Sequence, residues 1–115
     1  MRNGKMELLT TAEEYVAVTV WDALPEKLSA TDILERVNAN FNRNWKPQTV
    51  STFLQRLITK EYLYSFRKGR VFYYIPIISK NTYANIKLAM YCELYGVPSK
   101  EALNTAKNYL ELHKH

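Results

Sequence analysis

The chain has 115 residues, 47% of them hydrophobic, and a formal net charge of +5. That composition suits one globular domain, or one small domain with an appendage, and excludes global disorder. No run of about 18 consecutive apolar residues occurs, so no membrane-spanning helix is expected. The single cysteine, Cys92, excludes an internal disulfide and any multi-cysteine metal site, and reads as a small hydrophobe within a helix.

The start of the chain, Met1 to Lys5, is basic but no apolar signal-peptide core follows it, so a cytoplasmic protein is expected. Thr10-Thr11-Ala12-Glu13 has the spacing of a capping box, which satisfies orphan amides at a helix start. Val16, Ala17, Val20, Trp21 and Leu24 follow as one apolar stripe, and Pro25 stops the helix. Ser29 to Asp32 is a second helix start, with Ile33, Leu34, Val37 and Phe41 forming its apolar face. Asn38 to Asn44 reads as a helix end and loop.

A third helix starts at Pro47, whose missing N–H costs nothing at a first helical position. Val50, Phe53, Leu54, Leu57 and Ile58 make its buried face, and Gln48, Thr52, Gln55 and Thr59 the opposite one, flanked by Thr49, Ser51 and Arg56. That outer face carries no carboxylate, whereas an ordinary solvated helix mixes lysine with glutamate. Two runs rich in β-formers follow, Tyr62 to Phe66 and Val71 to Ile75, separated by Arg67-Lys68-Gly69-Arg70 and closed by Pro76. Tyr62, Tyr64, Tyr73 and Tyr74 read as hairpin packing rather than base-stacking groups. Three helices and a hairpin thus account for residues 10 to 76.

After Ser79 the helical period returns, with Tyr83, Ile86, Met90 and Leu94 on one face and Gly96 and Pro98 punctuating the end. Ser99 is expected to cap a last helix carrying Leu103, Ala106 and Leu110, and His113 to His115 to fray. These two helices carry more apolar surface than they can hide from water. Residues Tyr83, Ile86, Met90, Leu94, Leu103 and Leu110 are therefore expected to build a homodimer.

The charge is concentrated. Arg43 to Arg70 holds seven basic residues against Glu61 alone, a surplus of +6 in a chain totalling +5, so the remainder carries −1. A helix with a polar outer face followed by a basic hairpin is the layout of a winged helix, an α+β fold in which the third helix enters the major groove of duplex DNA. On that reading Gln48, Thr49, Ser51, Thr52 and Gln55 meet base edges, and Lys46, Arg56, Lys60, Arg67, Lys68 and Arg70 meet phosphates. Catalysis has no support: no Ser/His/Asp or Cys/His set assembles, and no glycine loop resembles a phosphate cradle. No enzyme activity, cofactor or metal is expected. Protein docking is the competing use of such a fold, but a docking surface would expose large apolar groups where this helix is polar.

The residues also resemble the penicillinase-repressor family of bacterial transcription regulators, the BlaI/MecI/CopY group. The likeness runs through Leu9-Thr10 with Glu13, Trp21, Ala30 to Ile33, Trp45, Thr49-Val50, Thr52, Leu54, Arg56-Leu57, Lys60 and Leu63, then Gly69-Arg70, Tyr73-Tyr74 and Pro76. Leu94-Tyr95-Gly96 and Asn104 to Asn108 resemble the family's C-terminal part. The resemblance implies a repressor that binds palindromic operators as a dimer, with a DNA-binding domain over residues 8–77 and a helical dimerisation region over 78–115. Two departures stand out. Members controlled by β-lactam sensing are cut at an Asn-Phe bond, where this chain has Asn104-Thr105, and copper-responsive members carry Cys-x-Cys pairs that Cys92 alone does not supply. The sequence stops soon after Leu110, so part of the family's dimerisation helices is expected to be missing, which leaves open pairing with a longer regulator.

Overall fold

The computed structural model describes residues 6–113, so the basic segment Met1 to Lys5 and the terminal Lys114 and His115 lie outside it. The element order is α1 (Thr11–Ala23), β1 (Leu28–Ser29), α2 (Ala30–Asn40), α3 (Pro47–Thr59), β2 (Leu63–Lys68), β3 (Val71–Pro76), α4 (Lys80–Tyr95) and α5 (Ser99–Leu112). The chain divides into two compact units, Met1–Lys80 and Asn81–His115.

In the first unit both helix starts are closed as their sequences require. Thr10 caps α1 and Ser29 caps α2, each exchanging hydrogen bonds with the acid three residues on, Glu13 and Asp32. Pro47 opens α3 behind Lys46, whose side chain makes no capping bond. The core comes from one side of each helix: Val16, Ala17, Val20 and Trp21 of α1, Ile33 and Val37 of α2, and Val50, Leu54 and Leu57 of α3. Phe53 and Ile58 of α3, and Leu34 and Phe41, are only half-buried at the edges of that core, and Leu24 is exposed beyond the end of α1. Trp21 also donates its indole N–H to the Ile78 carbonyl at 2.8 Å.

The sheet has three strands in the order β1-β3-β2, all antiparallel. The sequence pattern does not predict the first of them. Leu28 pairs with Tyr74 and Ser29 with Tyr73, so a two-residue strand completes the sheet. The β2–β3 hairpin is also tighter than expected. Lys68 pairs with Val71, which places Arg67 and Lys68 inside the strand and leaves only Gly69-Arg70 as the turn. Gly69 has φ +65° while Arg70 stays at negative φ, as a hairpin turn with glycine in its first central position requires. Tyr62 precedes β2 and is fully buried, its hydroxyl donating to the Glu7 carbonyl.

In the second unit α4 ends as glycine-closed helices do: Gly96, at φ +69°, donates to the Glu93 carbonyl, and Val97 to that of Cys92 at 2.9 Å. Pro98, not Ser99, occupies the cap position of α5, and no side chain closes that end; Ser99 is already the first helical residue. Tyr83 and Cys92 are the buried residues of α4, and α5 has none.

Candidate nucleic-acid interface

The outward face of α3 follows from its inward one. With Val50, Leu54 and Leu57 fixed in the core, the helical period turns Gln48, Ser51, Thr52, Gln55 and Thr59 to solvent, and all five are exposed; Thr49 is half-buried on the flank. The Thr52 hydroxyl donates to the Gln48 carbonyl at 3.0 Å, and that of Thr59 to Gln55 at 3.0 Å. This back-bonding uses the hydroxyl proton, so Thr52 offers an acceptor oxygen and a methyl group. Gln48 and Gln55 carry amides that both donate and accept.

The hairpin distributes its cations over both faces and the tip. Residues alternate faces along a strand, so Arg67 lies on one side beside its cross-strand partner Phe72 and Lys68 on the other beside Val71, with Arg70 in the turn. Arg67 is partly committed: its Nε donates to the Gly69 carbonyl at 2.8 Å and its guanidinium lies 5.9 Å from the Phe72 ring centroid. Lys68 and Arg70 are exposed at the tip, and Lys46 is exposed at the start of α3.

Lys60 is paired within the fold. Its ammonium lies 2.7 Å from Glu13 Oε1, with the side chain of Lys60 19% exposed and that of Glu13 1%. It ties the end of α3 to the start of α1 instead of projecting from the helix. Burial alone would raise the Glu13 carboxyl above its ordinary value, but the Lys60 bond and the bonds within the Thr10 cap outweigh burial and hold it below. Glu13, which the sequence explains by capping and the helix dipole, thus has a third function as a buried counter-ion. Nothing local signals it, because the partners are separated by 47 positions.

The turn into α3 is held by side chains that no sequence motif singles out. Asn38 accepts from the Trp45 N–H at 2.9 Å and donates to the Trp45 carbonyl at 3.1 Å, fixing that residue from both sides. Asn42 takes a left-handed conformation, φ +53°, which asparagine tolerates better than most residues. Trp45 packs at 5.1 Å from Phe53 of α3 and 6.3 Å from Tyr15 of α1, and Tyr15 stacks on Phe41 at 4.3 Å. Arg43 reaches over the Tyr15 ring at 5.2 Å and donates to its hydroxyl at 3.1 Å, while Arg56 lies 5.4 Å from the Phe53 centroid.

Of the residues expected at an interface between copies, Leu94, Leu103 and Leu110 are 71%, 56% and 66% exposed, and Ile86 and Met90 are half-buried. Tyr83, the remaining residue of that set, is 4% exposed in the single chain. Among the described residues no helix is long and apolar enough to cross a membrane.

Three helices, the last presenting a polar face, and a small antiparallel sheet ending in a basic hairpin define a winged helix-turn-helix protein. The penicillinase repressor family model matches residues 9–103, and the chain belongs to that family. It is 26% identical over 106 residues to the penicillinase repressor of Bacillus licheniformis, over 90% of this chain and 80% of that protein. Two solved structures are similar at 29% identity, each over 69% of this chain and 92% of its own. One is the solution structure of monomeric Bacillus licheniformis BlaI in complex with the blaP half-operator, at TM-score 0.55. The other is the solution structure of the DNA-binding domain of the repressor BlaI, at TM-score 0.57.

Proposed function

We propose that this chain is a sequence-specific DNA-binding transcriptional repressor that acts in the cytoplasm as a homodimer on a palindromic operator. Residues 8–77 form the DNA-binding domain and 78–115 the dimerisation region. The observation that carries the reading is the outward face of α3. Five exposed, uncharged hydrogen-bonding side chains stand in a segment with a surplus of +6, on the element that a winged helix inserts into the major groove. The similar BlaI was solved on its half-operator, which supports the same use of the fold here. Gln48, Thr49, Ser51, Thr52 and Gln55 read base edges. Glutamine matches the donor–acceptor pair of adenine, and the methyl of the exposed Thr52 suits a thymine methyl. Lys46, Arg56, Arg67, Lys68 and Arg70 contact phosphates and set register; Lys60 ties the end of α3 to the start of α1 through Glu13.

The homodimer is supported by α5, a helix of 14 residues with no buried side chain whose leucines stand in water. A single module makes few contacts, so pairing is also what gives selectivity among genomic sites. Selection of bound sequences from random duplex DNA tests the proposal. Recovery of an inverted repeat with half-sites about 10 bp apart, or a multiple of that, is expected. Recovery of no preferred sequence overturns it in favour of a protein-docking module.

A further inference from the structure

The flank of α3 carries a second basic feature, and its meaning rests on the repressor reading above. Each helical residue turns by roughly 100°, so Thr49, Phe53 and Arg56 share the flank beside the outward row Gln48, Thr52, Gln55 and Thr59. Along that flank the rings of Phe53, Trp45 and Tyr15 follow one another at centroid separations of 5.1 Å and 6.3 Å. A guanidinium sits on the ring at each end of the row: Arg56 on Phe53 and Arg43 on Tyr15. Both arginines are exposed, and among the described residues neither forms an ion pair with a carboxylate.

An ordinary surface arginine samples many rotamers. Arg43 is restrained three times over: its ring contact and its bond to the Tyr15 hydroxyl hold the side chain, and its backbone N–H donates to the Asn38 carbonyl at 3.2 Å. A planar guanidinium seated on a ring keeps donors at its edge, where two of them match the oxygens of a phosphate. A helix lying in the major groove has a sugar-phosphate strand along each flank. We infer that Arg43 is a phosphate-contacting residue, that Tyr15 is its positioning residue, and that Arg43 and Arg56 together follow one DNA strand along this side of α3.

The test measures affinity against salt concentration for the selected operator and for an unrelated duplex. Arg43→Gln is expected to weaken both duplexes alike and to reduce the slope of log K against log salt by about 0.9, the value of one phosphate contact. Arg43→Lys keeps the charge and restores the slope. Tyr15→Phe keeps the wild-type slope and weakens both duplexes about twofold to tenfold, the worth of one hydrogen bond. An Arg43→Gln protein with the wild-type slope overturns the contact, and a Tyr15→Phe protein as tight as wild type overturns the positioning role. Wild-type protein that binds neither duplex overturns the repressor reading and this inference with it, whereas wild-type binding with unaltered variants overturns this inference alone.

Discussion

Removing the Lys60 ammonium should destabilise the DNA-binding unit far more than removing any other lysine of the basic segment. In Lys60→Met the Glu13 carboxylate, 1% exposed, loses its 2.7 Å partner and keeps only its bonds to Thr10. Breaking a buried pair from one side costs about 3–5 kcal/mol. Lys60 itself is 19% exposed, so the loss should fall near the lower end, about 3 kcal/mol. Glu13→Gln removes the other charge but retains an oxygen to close the cap, and the freed ammonium has solvent within reach. Its cost should be nearer 2 kcal/mol, as for a hydrogen bond to a charged group (roughly 1.5–3). The double variant strands neither charge and should be more stable than Lys60→Met alone, a non-additivity that identifies a direct pair. Urea denaturation followed by tryptophan fluorescence suits the measurement, because Trp21 and Trp45 both lie in the first unit. The pH dependence gives a second check. The folded Glu13 carboxyl titrates below its ordinary value of 4.5, so its stabilisation is full above that value and is lost as pH falls through the depressed folded one. Glu13→Gln should therefore flatten the acid limb of the stability profile. A Lys60→Met protein within about 0.5 kcal/mol of wild type, the range of an uninvolved surface change, would mean that Glu13 does not depend on the Lys60 ammonium.

The two classes of DNA contact predict different mutant behaviour. Arg70→Ala or Lys68→Ala should weaken binding to every duplex and lower the salt slope by about one unit for each phosphate interaction removed, measured by fluorescence anisotropy over a salt series. Gln48→Ala or Thr52→Ala should instead erode preference for the operator by about 1–3 kcal/mol per base contact while leaving nonspecific binding intact; identical behaviour of both classes would defeat the assignment. Leu103→Asp together with Leu110→Asp should yield a monomer by sedimentation where wild type is a dimer, since each buried leucine is worth about 1.5–3 kcal/mol; a wild-type protein that sediments as a monomer at high concentration ends the dimer proposal. Asn38→Ala removes both bonds to Trp45 and should lower stability by about 1–3 kcal/mol, two net hydrogen bonds, read as a shift of the urea midpoint; an unchanged midpoint shows that the aromatic packing alone holds the turn.

Elements closed by neighbours in sequence are legible from the residues themselves. The two capping boxes and Pro47 fix the starts of α1, α2 and α3 within three or four residues, and the period of Val50, Leu54 and Leu57 dictates which face of α3 is outward. Features that depend on distant partners are not. A two-residue strand has no period to detect, and β1 exists because Tyr73 and Tyr74 arrive beside it from far along the chain. Lys60 reads as one more cation on a basic helix until Glu13 is placed opposite it. Arg67 and Lys68 look like turn residues because they stand close to glycine, yet the register carries the strand through both. Ser99 has the right chemistry for a cap, but the backbone enters the helix one residue earlier, at Pro98. Tyr83 shares the spacing of the leucines of its region, and spacing alone does not separate a buried tyrosine from an exposed leucine.

Ser29 belongs to two elements at once. Its backbone is the last residue of β1, paired with Tyr73 of the wing, and its hydroxyl caps α2 through Asp32. The stem of the hairpin is therefore fastened to the helix that precedes α3. In the proposed repressor, a wing fastened in this way would meet the duplex at a distance from α3 set by that joint, leaving little further ordering for Lys68 and Arg70 to reach the backbone. For such a repressor, a groove widened or narrowed by its base sequence would have to fit helix and wing together, which would extend discrimination to base pairs that no side chain touches.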